Sequence, residues 1–449
     1  MIGVRAVTAG KIRLILSFAS ILFIPVWTHQ GSVWADQREE VFVSAQVQKQ
    51  TDYDDAAQYH TPLSGESLHT LFLSTQIDIP ARDRGRVTAL TLGGMFYAPR
   101  QGEVFAAPVS ALFLRRTWDN SRTRDVISIF VNDLEYDRSF GTFELVSRFE
   151  NYTIPGGQRE VVNNQEIKSS DTQWGTVVAS VGAGLRYKVA PYQVDNDMRL
   201  QLLGKVGYFY ARRTADTGPN LMLPPDTMLY GAQLRGRYDG IRRNLLELPH
   251  TGVAAGFDLD YMYRDKWSDF GTIPDAPFTK ADTQKYVQFS GYIMGVGGIP
   301  GLSEKNRIFF SFHGGVTPKK SADRYNAITI GGGPLPGESD DLCRPDYPGT
   351  MFNQVLVSNY ALAVVEYRCE LAFFIYLHLR ETLIRADRAA VTDSNRFYFK
   401  SSTGAATTIG LDIGFFWNSE LYLGYSRDSG FVRNGKPGSG MILTWNKSF

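Results

Sequence analysis

From residue 253 to 264 the chain alternates in character at every step. Val253, Ala255, Phe257, Leu259, Tyr261 and Tyr263 hold the odd positions, while the even ones include Gly256, Asp258, Asp260 and Arg264. Side chains of a β-strand point to opposite faces with period two, so one face of this segment suits lipid and the other suits water. The same alternation recurs over residues 69–80, 87–97, 104–115, 125–137, 142–153, 174–190, 198–212, 227–239, 253–264, 285–297, 307–316, 353–368, 371–381, 407–417, 420–427 and 441–449. Each stretch is bounded by Gly, Pro, Asn, Asp or charged clusters. The pattern predicts an all-β fold, a transmembrane antiparallel β-barrel of sixteen strands over residues 69–449. An even count brings both ends of the barrel to the same side of the membrane. A further alternating stretch, residues 41–47, reads either as an N-terminal periplasmic strand or plug piece, or as a sign that one strand between residues 87 and 115 is misassigned.

Connection lengths orient the barrel, because proteins of this class have short periplasmic turns and long external loops. Short links at 138–141, 191–197, 299–306 and 418–419 alternate with longer polar ones at 155–173 and 265–284. The longest runs from 317 to 352. It passes through Gly331-Gly332-Gly333-Pro334 and carries Glu338, Asp340, Asp341 and Asp346. Connections beyond about 15 residues are usually functional or disordered, so this loop is a candidate plug folded into the barrel mouth.

Ahead of the strands, Arg5, Lys11 and Arg13 precede an apolar run over 14–26 and then Val33-Trp34-Ala35. That order predicts a secretory signal peptide over residues 1–35; the run falls well under the roughly 20 residues a spanning helix needs. Residues 36–68 are expected to form a periplasmic or first-strand segment. Composition fits the same picture. A mean hydropathy of -0.20 is low for a membrane protein, yet 43 Gly, 23 Tyr, 28 Phe and 7 Trp are present. A barrel reconciles the two, since half of each strand faces water and aromatic residues line the interfaces. The 47 Lys and Arg against 46 Asp and Glu give a net charge of +1, which points to no nucleic-acid partner.

Candidate chemistry is sparse. The two cysteines, Cys343 and Cys369, stand in an export context where they either pair or remain isolated thiols. The acidic pairs Asp54-Asp55 and Asp340-Asp341 read as solvated segments. No Gly-x-Ser-x-Gly elbow occurs, and His29, His60, His69, His250, His313 and His378 lack metal-ligand spacing, so neither enzyme, cofactor nor metal is expected. The inward parity instead collects Arg186, Lys188, Arg199, Lys205, Arg235, Arg237, Asp239, Asp258, Asp260, Arg264, Glu366, Arg368 and Asp412. Mixed signs in a confined lumen either tune a water-filled pore or pair across the wall and rigidify it. Pairing is the reading we take.

From about residue 227 onward the chain resembles the barrel of the outer-membrane insertase superfamily that includes BamA and TamA, the bacterial surface antigen family. Tyr238-Asp239 followed by Asn244, Pro249 and Gly252 resembles its strand end and Pro-x-x-Gly periplasmic turn. Gly331-Gly332-Gly333 sits where the family opens its sixth external loop. Glu366-Tyr367-Arg368 resembles the strand end after that loop. Gly410 to Trp417 together with Phe449 resembles the last strands, the terminal aromatic matching the signal read by the outer-membrane assembly machinery. The family's Val-Arg-Gly-aromatic motif is replaced by Leu335-Pro336-Gly337-Glu338-Ser339, so its loop-to-wall arginine pair has no counterpart in that stretch. The segment before residue 69 is also too short for a POTRA module.

The resemblance implies a monomeric barrel in the outer membrane of a Gram-negative bacterium, handling protein or lipid. Its site candidates are Gly331, Gly332, Gly333, Glu338, Glu366, Arg368 and Asp412. Its expected contacts are outer-membrane lipid, the assembly machinery during biogenesis, and a periplasmic partner. The rival expectation is a passive channel or porin for small solutes.

Overall fold

The computed structural model describes residues 67–70, 75–78, 85–101, 104–128, 131–153, 158–162, 165–192, 196–244, 246–272, 278–332, 342–350, 355–372, 374–391, 397–415, 419–433 and 435–449. The chain divides into Met1–Asp55 and Ala56–Phe449. The first unit, and with it the signal-peptide, 41–47 and Asp54-Asp55 readings, lies outside the described residues.

Sixteen strands close into one antiparallel barrel. They are β1 (Arg86–Pro99), β2 (Phe105–Thr117), β3 (Ser121–Ser128), β4 (Val131–Phe140), β5 (Phe143–Thr153), β6 (Gln165–Lys188), β7 (Asp197–Arg213) and β8 (Thr227–Asp239). The second half comprises β9 (Pro249–Arg264), β10 (Lys285–Gly298), β11 (Asn306–Val316), β12 (Val355–Ala372), β13 (Ile375–Val391), β14 (Phe397–Phe415), β15 (Ser419–Arg433) and β16 (Lys436–Ser448). Short pieces at Gln158–Val162, Arg242–Arg243 and Ile328–Ile330 extend the wall at its ends. No helix among the described residues is long and apolar enough to cross a membrane; the strands do so.

The expected strand count is met through two compensating errors. The described residues of 69–80 form no wall strand. Ser67–Thr70 and Thr75–Asp78 pair with each other in a separate two-stranded sheet, and period two cannot tell a small hairpin from a wall strand. Residues 125–137 are two strands, β3 and β4, instead of one. The sequence between them reads Ser128-Ile129-Phe130-Val131 and has no Gly, Pro, Asn or Asp, leaving Ser128 as its one turn-favouring residue. Ser128 closes the tip instead, its Oγ donating to the Val131 carbonyl at 2.7 Å and accepting from the Val131 N–H at 3.0 Å. Both strands between residues 87 and 115 stand.

The barrel closes where β16 runs antiparallel to β1, from Gly438 opposite Pro99 to Ser448 opposite Ala89. Phe449 prolongs this seam, its N–H donating to the Thr88 carbonyl at 2.8 Å. A Cβ at Gly93 would land on the Leu443 carbonyl oxygen across the seam. Gly93→Val is therefore expected to weaken closure by about 1–3 kcal/mol, the usual cost of overpacking. A lower temperature for loss of the compact, heat-modifiable band on a denaturing gel would show it; an unshifted transition would refute it.

Burial is inverted relative to a soluble protein. Val181, Leu202 and Leu371 are 69%, 61% and 54% exposed, whereas Glu135, Asp137 and Glu144 are 4% exposed or less. Apolar side chains face outward and ionised ones inward, as a lipid-embedded wall around a polar lumen requires.

Candidate functional site

The lumen is filled with paired charge. Toward the short-turn end, Arg122 of β3 meets Asp137 of β4 at 2.6 Å. Arg199 of β7 meets Asp197 at 2.7 Å and Asp137 at 3.2 Å, and Arg186 of β6 meets Asp197 at 2.9 Å. Arg235 of β8 binds Glu135 of β4 across the interior. Arg237–Asp258 (2.6 Å) belongs to the same level, and one level further along Arg148–Asp133 (2.7 Å) and Lys205–Asp260 (2.7 Å) repeat the arrangement. Period-two alternation placed these groups inside. Which acid meets which base follows from barrel closure, because Glu135 and Arg235 are a hundred residues apart in sequence.

The long loop between β11 and β12 enters this lumen. Asp346 reaches Arg380 on β13 at 2.8 Å, Tyr347 Oη donates to Asp428 on β15 at 2.7 Å, and Cys343 Sγ donates to Asp258 on β9 at 3.4 Å. The loop is therefore bolted to three separate parts of the wall. Burial works against the charge on Asp346, but Arg380 and then Arg344 outweigh it and hold the carboxyl below the ordinary carboxylate range. A loop-to-wall ion pair is thus present with the acid on the loop and the base on the wall. Sequence comparison of the stretch 335–339 could not find it, since Asp346 lies outside that stretch. Gly331 and Gly332 sit at the neck of the loop. The Gly331 carbonyl accepts from Arg344 at 2.5 Å and the Gly332 N–H donates to the Thr350 carbonyl at 3.2 Å, joining the outgoing and returning limbs. Gly332 has φ +104, a conformation glycine adopts without penalty. Gly333, Glu338 and the pair Asp340-Asp341 lie outside the described residues.

Glu366, Arg368 and Asp412 fall on β12 and β14, either side of β13. His378 on β13 joins two of them, its Nδ1 at 2.8 Å from Glu366 and its Nε2 at 2.5 Å from Asp412. Arg368 turns instead to the Pro249 carbonyl. The glycines of the loop neck stay apart from this cluster. Both cysteines are free thiols: Cys343 is buried in the lumen, whereas Cys369 keeps the outward parity of β12.

A second obturator comes from the short-turn end and was missed in the sequence. The β8–β9 turn bends inward, so that Leu246 packs with Phe374 and Tyr376 at the start of β13. The Asn244 side-chain oxygen accepts from the N–H groups of Leu246 and Leu248 at 3.0 Å each and fixes the bend. Ile241 of the same turn shares an apolar cluster with Cys343 and Leu342 of the inserted loop. Material from both ends thus meets inside the barrel. The available signal was Leu245-Leu246 and Leu248 in a stretch read only as a periplasmic turn.

The exterior is asymmetric. On β6 the outward positions Val177, Ala179, Val181, Ala183, Leu185 and Tyr187 are all apolar, and β7 matches them. On β13 to β16 the unbroken apolar run from the short-turn end stops early, with Leu383 alone following the break on β13. Ile375, Leu377 and Leu379 give way to Glu381; Ile413, Leu411 and Ile409 to Thr407; Leu421, Leu423 and Tyr425 to Arg427; Trp445, Leu443 and Met441 to Ser439. These four polar residues lie opposite one another in register and form one row, with Thr407 donating to Glu381 at 2.6 Å.

No protein-family model matches the chain, and no curated protein matches it in sequence. Among solved structures the chain is similar to BamA from Haemophilus ducreyi lacking POTRA domains 1–3, at 12% identity over 87% of this chain and 76% of that one, with a TM-score of 0.46. It is similar to CdiB from Acinetobacter baumannii at 10% identity, over 87% of this chain and 64% of that one, TM-score 0.46. It is also similar to a loop L8 deletion mutant of OmpT, an outer membrane protein of Vibrio cholerae, at 9% identity over 81% and 98%, TM-score 0.34. The chain thus spans less than two thirds of the CdiB chain, and at these identities the likeness concerns the fold of the barrel alone.

Proposed function

We propose that the protein resides in the outer membrane of a Gram-negative bacterium and handles polypeptide or lipid at the bilayer face of its barrel, without enzymatic chemistry. The observation that carries this reading is the shortened apolar belt across β13 to β16, which ends at the closing seam. A span shorter than the local hydrocarbon is accommodated by thinning the bilayer beside it, and thinned bilayer lowers the barrier to moving polar groups across. The filled lumen weighs against the rival reading of an open porin, because loop and turn occupy the path a solute would take. Phe449, at the end of the seam strand, is proposed as the signal for the assembly machinery, and a periplasmic partner and a monomeric state belong to the same proposal.

Vesicles test it directly. Purified protein in phospholipid vesicles is expected to accelerate either transbilayer exchange of a fluorescent lipid, read by dithionite quenching, or folding of an added unfolded barrel protein. If both rates equal those of protein-free vesicles while planar bilayers show large steady conductance, the porin reading replaces this one.

A further inference from the structure

Above the shortened belt, the long-loop end of β13 to β1 carries cations that no described residue satisfies. Arg385 and Arg427 are exposed on the outward parity of β13 and β15, Lys400 and Arg100 are exposed at the ends of β14 and β1, and Lys436 opens β16. Among the described residues none of these five side chains makes an ion pair. The charges of the lumen, by contrast, close on each other. In the lumen Arg122, Arg199, Lys205 and Arg237 all find carboxylates, and elsewhere at the long-loop end Arg212 closes on Asp226. At the same end, Lys319 is already taken by Asp387 at 3.1 Å.

The register sharpens the imbalance. Lys400 faces Arg388 and Lys436 faces Arg433 directly across neighbouring strands. Lys400 and Lys436 thus each sit opposite a cation that is already engaged, Arg388 donating to the Phe431 carbonyl, and gain no acid there, so the rim presents a field that favours an anion. Position then selects the kind of anion. Arg385 and Arg427 do not point into the lumen; they stand on the outer surface beside Leu383, Tyr425 and Met441, which are 52%, 45% and 47% exposed to lipid. A group held there has its acyl chains along those residues and its charge among the arginines. Guanidinium forks match phosphate oxygens two at a time, and clustered basic residues at a membrane boundary favour anionic headgroups.

We propose that this rim is a binding site for the phosphate groups of a phosphorylated lipid in the outer leaflet, with Arg385 and Arg427 as its principal ligands and Lys400, Lys436 and Arg100 supplying the surrounding positive field. The site lies outside the barrel and stands whether or not the protein moves lipid or polypeptide.

Native mass spectrometry of the full chain in detergent, with bisphosphorylated lipid A as the probe, tests it. Wild type is expected to retain the lipid, R385A/R427A to bind it at least tenfold more weakly, and R385K/R427K to recover much of the loss. Lipid A stripped of its phosphates is expected not to be retained. Should the double alanine variant fail to give a heat-modifiable folded band, R385Q and R427Q decide singly, each with a severalfold loss expected. Equal retention by wild type and the neutral variants overturns the site, as does equal retention of the dephosphorylated lipid. If inorganic phosphate alone at millimolar concentration raises the melting temperature as much as the lipid does, the occupant is a soluble anion and the lipid assignment falls.

Discussion

Asp346→Ala is expected to convert a nearly silent barrel into one with frequent large openings in planar-bilayer recordings. The carboxylate is a buried ionic anchor of the inserted loop, 9% exposed and 2.8 Å from Arg380. Removing one partner of a buried pair leaves the other charge uncompensated and costs about 3–5 kcal/mol. Here that cost falls on the inserted state, because Arg380 is relieved once the loop withdraws and water replaces it. A shift of about 3 kcal/mol raises the open population about a hundredfold. The second bolt, Tyr347 to Asp428, limits the opening, so D346A/Y347F should exceed D346A. The charge exchange D346R/R380D restores the pair with reversed polarity and should restore closure. Unchanged conductance in D346A would mean that the apolar cluster around Ile330, Tyr347 and Val357 holds the loop unaided, and the ion pair would lose its role as a latch.

How much of this was legible beforehand depends on the range over which the information acts. Alternation in 227–239 and 253–264 is local, and β8 and β9 appear there with the expected faces. Turn chemistry is local too. It failed at Ile129-Phe130, where a tip without Gly, Asn or Pro joins β3 to β4. Partner choice is not local. Arg199 carries an inward parity in sequence, but only the register of β4 to β7 around the closed wall brings it within 3.2 Å of Asp137. The latch was hidden for a further reason. Asp346 lies in a polar loop, where an acid has no parity to reveal its direction, and its partner Arg380 is an ordinary inward residue until a loop arrives from above. Leu246 shows the converse: its apolarity was visible, and its destination across the lumen was not.

Glu135→Ala should be the most destabilising single change in the wall. The carboxylate is 4% exposed and accepts from Arg235, while Arg199 and Arg122 stand at 3.6 and 3.8 Å. Asp137 and Asp197 are already engaged with Arg122, Arg199 and Arg186. Without Glu135, Arg235 loses its carboxylate partner with its Nε already unsatisfied, and Asp258, opposite it on β9, is already taken by Arg237. The expected loss is about 3–5 kcal/mol, read as a lower midpoint in guanidinium unfolding followed by tryptophan fluorescence in detergent. Glu135→Gln keeps the shape and one acceptor oxygen, so a smaller loss is expected. The decisive comparison is the double variant E135L/R235M, in which both charges leave together and apolar groups fill their place. Exchanging a buried pair for apolar side chains is often neutral or stabilising. The double variant should therefore unfold at a higher midpoint than E135A, although it removes more of the network. If E135L/R235M and E135A unfold together, the cost of E135A lies in lost packing, and the inward charges would be solvated by lumen water instead of sustained by one another.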